Sequence, residues 1–152
     1  MKKERKGKEV RKKRNSEILK FYKKIYSKEV IENFLHPKNV GEIKDPDGVG
    51  VAGNPICGDI LRLYIKVKDN KIEDIKFQTL GCAAALACSS MVTELAKGKK
   101  IKEAMKITSK NIEDKLGRLP PIKVHCSNLG AEALHNAIED YLKRRRKEKK
   151  RK

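Results

Sequence analysis

Residues 59–79, "DILRLYIKVKDNKIEDIKFQT", decide the fold of this chain because apolar and polar side chains alternate along them. In the first half, the apolar side chains occupy every second position and therefore share one face, as in a half-buried strand. These apolar residues are Leu61, Leu63, Ile65 and Val67, and the opposite face takes Arg62, Tyr64 and Lys66. "KDNK" predicts a tight turn, after which Ile75 and Phe77 continue the buried face on a partner strand. With "VGVAG" (49–53) before them, these segments predict a small three-stranded antiparallel sheet.

Helical periodicity on both sides of this sheet predicts helices that cover one of its faces. Residues 16–35 carry apolar side chains at three- and four-residue steps, which predicts one amphipathic helix. Ser16 can cap the start of this helix, and Pro37 ends it. After the sheet, an Ala-rich helix over 83–96 stops at Gly98, and two short helical segments follow at 101–107 and 111–117. The last helix runs from about Ser127 into the basic tail. The predicted fold class is α+β, a small three-stranded antiparallel sheet packed on one face by helices, with an N-terminal helix and a long C-terminal helix.

Basic residues concentrate at the two ends of the 152-residue chain, which is long enough for one ordinary domain. Residues 1–14 hold nine basic and two acidic side chains, and residues 143–152 hold nine and one, out of 38 basic and 20 acidic in total. Such blocks lack apolar side chains and repel themselves. The sequence therefore predicts a disordered or frayed basic tail at 1–15, a domain at 16–142, and a basic helical extension or tail at 143–152.

The tails could bind nucleic acid electrostatically. Aromatic residues are only 5% of the chain, however, and no RNA-binding aromatic motif is present, so a solubilising surface is the preferred interpretation. No apolar run approaches the roughly 20 residues that span a bilayer, and the N-terminus lacks the apolar stretch of a secretory signal. The sequence predicts a cytoplasmic protein without membrane association, whose four cysteines are free thiols or metal ligands rather than disulfides.

Three of the four cysteines lie where irregular or extended backbone meets a regular element. Cys57 sits in "GNPICGD", two residues before Asp59; Cys82 opens the Ala-rich helix; and Cys126 follows His125 at the start of the last helix. The positive end of a helix lowers a thiol pKa and favours the thiolate, which binds metals and attacks sulfur. We therefore expect lowered pKa values for the thiols at the two helix starts.

Three thiolates with either Asp59 or His125 could form a tetrahedral zinc site or hold an iron-sulfur cluster. The residues alone leave both open, because no C-x-x-C occurs and the ligands come from three separated loops. Cys88 lies six residues beyond Cys82, about 240° around the helix, and so leaves the helix on a different face. We interpret Cys88 as a small hydrophobic core residue.

Four quoted segments together carry a resemblance to a known family. They are "YSKEVIENFLHPKNVG" (26–41), "GNPICGD" (53–59), "LGCAAALACSS" (80–90) and "LPPIKVHCSNLGAEAL" (119–134). Over about residues 25 to 142 the chain resembles the iron-sulfur cluster assembly scaffolds, the IscU-like proteins that also form the N-terminal domain of NifU. The resemblance implies a non-enzymatic scaffold that builds a transient [2Fe-2S] cluster from iron and from sulfur delivered by a cysteine desulfurase. It also implies transfer of the cluster to acceptor apo-proteins with the help of an Hsp70-type chaperone system.

Carried over residue by residue, the resemblance makes Cys57, Cys82 and Cys126 the cluster ligands and sulfur acceptors. Asp59 is then the acidic residue beside the site, whose replacement is expected to trap the cluster. His125 is the other candidate for the remaining ligand position, and the choice between the two stays open.

The chaperone-recognition motif falls on "LPPIK", whose residues are Leu119, Pro120, Pro121, Ile122 and Lys123. Two consecutive prolines are expected to keep this segment extended and readable by a peptide-binding groove. The alternative interpretation is a plain linker between helices.

Three other functions agree less well with the sequence than a scaffold does. A zinc-bound protein that accepts persulfide sulfur from a cysteine desulfurase uses the same residues, but the 44-residue separation of Cys82 and Cys126 lacks the insertion typical of zinc-dependent SufU relatives. Zinc also occupies vacant scaffold thiolates, so zinc in a purified apo form fits either function. A basic nucleic-acid-associated zinc module leaves 119–123 and Asp59 unexplained. A thiol dyad of Cys126 and His125 is disfavoured because adjacent side chains usually diverge.

Overall fold

A computed structural model describes residues 2–54, 58–117, 119–120 and 123–151. Two helices come first, α1 (Lys2–Ile25) and α2 (Lys28–Leu35). The strands follow as β1 (Gly48–Asn54), β2 (Asp59–Lys68) and β3 (Lys71–Leu80). The remaining helices are α3 (Ala83–Ala96), α4 (Ile101–Ala104), α5 (Ser109–Leu116) and α6 (His125–Arg151). This order of elements confirms the predicted fold class.

The sheet is antiparallel in the order β1-β2-β3, as predicted. Asp69 and Asn70 both have positive φ, 53° and 64°, which is the backbone of the tight hairpin turns whose twist matches that of the strands. The alternation of β2 changes at a register shift between Lys66 and Val67. Because of this bulge, Val67 is only half-buried, whereas the preceding alternate residues Leu61, Leu63 and Ile65 are completely buried.

Helix α6 packs directly on β1 because two strand positions carry no side chain. A Cβ on Gly48 would lie 3.0 Å from the Cβ of Tyr141, and one on Gly50 would lie 2.9 Å from the Cα of Ala137. The backbones of strand and helix therefore approach to a distance that leaves no room for a methyl group. This contact sets where α6 lies across the sheet, and the first residues of α6 are among those predicted to bind metal.

The N-terminal helix differs from the prediction of one segment over 16–35, because α1 ends at Ile25 and α2 begins at Lys28. Ser27 breaks the helix: its backbone is extended (φ −66°, ψ 164°), and its Oγ accepts the N–H of Val30 at 3.1 Å. Serine favours such local capping over a helix interior. The predicted apolar stripe nevertheless exists across the break, since the Tyr22 ring lies 5.9 Å from that of Tyr26 and 5.8 Å from that of Phe34.

The sequence predicts a disordered or frayed tail over residues 1–15, whereas residues 2–15 belong to α1 in the structure. Residues 4–18 are exposed on every side of this helix. Lys, Arg and Glu are strong helix formers, so the segment needs no buried face to take up helical backbone. At the other end, residues 143–151 continue α6, as expected for a helical extension. The division into 1–15, 16–142 and 143–152 stays a prediction.

The helices after the sheet lie close to their predicted positions. Helix α3 has the predicted bounds and is followed by Gly98 with a φ of 83°. Helix α6 begins at His125, two residues before Ser127. Within the ranges that the structure describes, no helix is both long and apolar enough to cross a membrane.

A buried polar network joins α2 and the loop after it to α3. Ser90 is completely buried, donates to Asn33 Oδ1 at 2.7 Å and accepts the backbone N–H of Lys38 at 2.9 Å. Beside it, Asn39 Nδ2 donates to Thr93 Oγ1 at 3.0 Å. Buried polar groups are costly unless paired, so this network fixes how the N-terminal segment docks on α3.

Replacing Ser90 by alanine is expected to lower the free energy of unfolding by about 1–3 kcal/mol, because Asn33 Oδ1 and the Lys38 N–H lose their partner. Urea denaturation of wild type and variant measures this loss. The matched control is Ser89→Ala, since Ser89 donates only to the Ala85 carbonyl of its own helix. Equal losses from the two variants would show that the link between helices is not what stabilises the fold.

Candidate metal centre

Asp59 is the first residue of β2 and is almost completely buried, with 2% of its surface exposed. It pairs in register with Asn54, the last residue of β1. The connection between the two strands contains Pro55, Ile56 and Cys57, which lie outside the described residues. The predicted role of Cys57 as a ligand therefore stays a prediction.

Cys82 is the N-cap of α3, with extended backbone at φ −79° and ψ 176°. Its N–H donates to Asp59 Oδ1 at 3.3 Å, so the start of the helix is tied to the carboxylate. Gly81 makes this approach possible, because a Cβ there would lie 2.9 Å from Asp59 Cγ. The thiol itself does not cap the described N–H groups of α3 and instead faces the carboxylate, with Sγ 3.9 Å from Asp59 Oδ2.

The first turn of α6 brings His125 and Cys126 to the same carboxylate. Cys126 is buried (1% exposed), and its Sγ lies 3.7 Å from Asp59 Oδ2 and 3.9 Å from Cys82 Sγ. His125 is half-buried, and its Nε2 lies 3.7 Å from the same Oδ2. Asp59, His125 and Cys126 can place one ligand atom each within 4.8 Å of one another. Four of the five predicted metal-binding residues therefore converge.

These separations match those between ligands of one metal ion. With metal–sulfur bonds of about 2.3 Å in tetrahedral geometry, two sulfur ligands lie about 3.8 Å apart. The observed 3.9 Å between Cys82 Sγ and Cys126 Sγ is close to that value and far from the ~2.05 Å of a disulfide. A sulfur and an oxygen on one metal lie about 3.6 Å apart, compared with the observed 3.7 Å between Cys126 Sγ and Asp59 Oδ2.

The prediction of a lowered pKa at the helix start is wrong for Cys126. Burial raises the pKa of this thiol, and the neighbouring Cys82, Cys88 and Asp59 raise it further. The helix terminus is outweighed because desolvation and nearby negative charge both oppose a thiolate. In the absence of a metal, Cys126 therefore favours the protonated form, and metal binding must displace its proton.

Two residues beside Cys82 were not predicted to belong to the site. The negative charge of Cys82, with a hydrogen bond between the two side chains, raises the pKa of Lys123. Burial and then the charge of Cys82 raise the pKa of the Tyr26 hydroxyl. In the sequence, Lys123 belongs to the chaperone motif, and Tyr26 falls in the helix predicted over 16–35. No local pattern reveals either role, because both residues reach Cys82 through tertiary packing.

Cys88 lies in the core, as predicted. Its side chain is completely buried, and burial raises its pKa to about 12. The thiol stays protonated at neutral pH and does not face the carboxylate that gathers the other sulfur atoms. Cys82 and Cys88 therefore lie in different environments despite being close in sequence.

The proposed chaperone segment is only partly described, because Pro121 and Ile122 lie outside the described residues. Leu119 and Pro120 are half-buried, and the N–H of Lys123 donates to the Pro120 carbonyl at 2.8 Å. The extended backbone predicted for this segment stays a prediction. Recognition by a chaperone stays a prediction.

Comparison with protein families gives one match over most of the chain. The family model described as the NifU-like N terminal domain matches residues 25–148. Iron-sulfur cluster assembly scaffold protein IscU 1 of Archaeoglobus fulgidus is 61% identical over 120 residues, covering 79% of this chain and 78% of that protein. The scaffold protein IscU of Aquifex aeolicus is 52% identical over 119 residues, 77% and 76% of the two chains. A Drosophila melanogaster relative, named an iron-sulfur cluster assembly enzyme, is 46% identical over 121 residues, 77% and 78%.

Solved structures agree with this fold. A proposed scaffold protein for the SUF system from Fervidobacterium islandicum superposes with a TM-score of 0.64 at 28% identity, covering 74% of this chain and 96% of that one. The N-terminal part of a NifU-like protein from Brucella abortus gives a TM-score of 0.64 at 20% identity, covering 78% and 95%. The second likeness supports the fold alone.

Proposed function

Because the chain belongs to the family of the NifU-like N terminal domain, we propose that it is a scaffold for iron-sulfur cluster assembly. On it, [2Fe-2S] clusters form from iron and from sulfur delivered by a cysteine desulfurase, and pass from it to acceptor apo-proteins. The observation that carries the proposal is the convergence of Cys82, Cys126, His125 and Asp59, with the two sulfur atoms 3.9 Å apart. The protein acts as a carrier, because it has the same composition after the cluster departs as it had before assembly.

The ligand set offers one candidate more than a [2Fe-2S] cluster needs. Each iron has four ligands and shares two sulfides with the other iron, so the protein supplies four ligands in all. Cys57, Cys82 and Cys126 fill three positions, and either Asp59 or His125 fills the fourth. The unused residue then stands within a few ångströms of the cluster and can replace a departing ligand. Such exchange suits a cluster that is held only temporarily.

Sulfur enters by thiol exchange. A deprotonated scaffold cysteine attacks the outer sulfur of the desulfurase persulfide, a new S–S bond forms, and the desulfurase thiolate leaves with the electron pair of the broken bond. The transferred sulfur must then gain two electrons from an external reductant to become sulfide. Cys82 is the better placed acceptor among the described thiols, because it is half-exposed whereas Cys126 is buried. The Lys123 side chain forms a hydrogen bond with Cys82.

Anaerobic reconstitution tests the proposal. The full chain is incubated with ferrous iron, cysteine, a thiol reductant and a cysteine desulfurase, and visible absorption and circular dichroism are followed. We expect a [2Fe-2S] spectrum with equal amounts of protein-bound iron and acid-labile sulfide, and transfer of the cluster to an added apo-ferredoxin. Persulfide on the protein with retained zinc, and neither iron nor sulfide, would instead identify a sulfur-relay protein. Zinc in the protein before reconstitution decides nothing, since vacant thiolates bind zinc readily.

A further inference from the structure

A glutamate outside the metal centre contacts the turn that carries two of its residues. Ser127 directly follows Cys126 and is completely buried. Its Oγ lies 2.7 Å from Glu113 Oε1 on α5 and 2.7 Å from the Val124 carbonyl oxygen. The hydroxyl has one proton and can donate to one acceptor at a time. A bond to an ionised carboxylate is the stronger of the two, so Glu113 holds the first turn of α6 from a neighbouring helix.

Helix α5 is a firm support for this contact. A capping box closes its start, with the side chains of Thr108 and Asn111 each bonded to the other's backbone N–H. Ile112 and Leu116 are completely buried on its inner face. Ile112 Cδ1 approaches α6 so closely that a Cβ on Gly130 would lie 3.2 Å from it. The Glu113 side chain thus extends from an element that is itself fixed against α6.

Two backbone hydrogen bonds at the start of α6 are short-range, from Lys123 N–H to Pro120 and from Ser127 N–H to Val124. The contact with Glu113 spans 14 residues of sequence and joins two helices. It therefore constrains the position of Cys126 in a way that local turns do not.

We propose that Glu113 is a positioning residue of the metal centre. Through Ser127 it holds the first turn of α6 so that Cys126 stays against Asp59 and Cys82, and it thereby limits how often this turn opens. Opening exposes the buried Cys126 thiol in the apo protein and lets a bound cluster leave. The effect on the cluster rests on the proposed function, whereas the effect on the thiol does not.

Alkylation of the apo protein tests the first effect. The full-length chain is treated with iodoacetamide, and modification of Cys126 is followed by peptide mass spectrometry. Because Glu113→Ala removes a hydrogen bond to a charged group, we expect Cys126 to react at least about fivefold faster in this variant. Glu113→Gln keeps an acceptor for Ser127 without the charge, so its Cys126 should react at a rate between those of wild type and Glu113→Ala. The control Asp114→Ala removes the same charge from the next, exposed position and should change nothing. Cys88 stays unmodified in every sample unless the whole domain unfolds.

Cluster release tests the second effect. Reconstituted protein is mixed with an excess of an iron chelator, and the decay of the cluster absorption gives the release rate. We expect release from Glu113→Ala to be about fivefold faster than from wild type. Ser90→Ala, which destabilises the domain away from the centre, should release at the wild-type rate. If wild type never loads a cluster, the proposed function fails and the alkylation rates still decide the role of Glu113. The proposal would be overturned if Cys126 in Glu113→Ala were alkylated at the wild-type rate, or if Cys126 in Glu113→Gln reacted faster than in Glu113→Ala.

Discussion

Cys126→Ser is expected to lower the yield of assembled cluster by more than tenfold. Changes in residues that merely orient a metal ligand cost about 10- to 100-fold in affinity, and Cys126 is itself proposed to be a ligand. Its Sγ lies within 4 Å of both Asp59 Oδ2 and Cys82 Sγ, so its loss removes a sulfur from the centre of the group. Cys82→Ser should have the same effect. Iron and acid-labile sulfide bound after anaerobic reconstitution measure both.

The matched control is Cys88→Ala. This thiol is buried in the core with a pKa raised to about 12, so it is neither directed at the site nor ionised at neutral pH. The variant should be slightly less stable, because a small core volume is lost, and should assemble the cluster at the wild-type level. Circular dichroism of each variant before reconstitution establishes that it is folded. If Cys88→Ala lost as much cluster as Cys126→Ser, the assignment of ligands would be wrong.

Asp59→Ala is expected to assemble a cluster and release it about tenfold more slowly. The carboxylate lies 3.7 Å from one sulfur and 3.9 Å from another, with only 2% of its surface exposed. Two charges 4 Å apart interact by about 4 kcal/mol at an effective dielectric constant of 20. The Asp59 carboxylate repels an anionic cluster, and the substitution removes this repulsion. A tenfold change in release rate needs only ~1.4 kcal/mol, which is a part of that energy. Loss of an exchangeable oxygen ligand acts in the same direction.

Asp59→Asn separates charge from position. Asparagine keeps an oxygen that can accept the N–H of Cys82 but carries no charge, so the start of α3 should stay in place. Transfer to an apo-ferredoxin, followed by circular dichroism, measures release from both variants. Slow transfer from Asn and Ala alike would assign the effect to charge. Transfer at the wild-type rate from both would contradict a role of Asp59 in release.

The sequence correctly predicts a strand or helix where the spacing of apolar side chains is set within that one element. The alternation from Leu61 to Ile65 and the Ala-rich run to Ala96 each specify one strand or helix, and both predictions are confirmed. The sequence does not reveal the break at Ser27 because the apolar stripe continues through it, with the tilted rings of Tyr22 and Phe34 5.8 Å apart across two helices. A pattern of spacing does not distinguish a continuous helix from two helices that share a face.

The centre was predictable to the extent that its residues are chemically distinctive. Cysteines at helix starts, with Asp59 and His125 beside them, indicate a metal site without any coordinates. The protonation of Cys126 was not predictable, because it depends on burial by elements distant in sequence and this outweighs the helix terminus. Neither was the place of Lys123 beside Cys82, nor that of Glu113 beside Ser127, since both contacts arise only when helices pack.

The close packing of α6 on β1 changes which substitutions should be expected to disturb the metal centre. Gly48 and Gly50 have no side chain and lie on a strand remote in sequence from Cys126, yet the helix that carries Cys126 packs on their backbone. A methyl group added at either position would overlap with α6, so the helix would have to move away from the sheet. Tolerance to substitution in this protein therefore does not depend only on distance from the metal-binding atoms. Mutagenesis restricted to the metal-binding side chains would overlook Gly48 and Gly50, two of its most constrained positions.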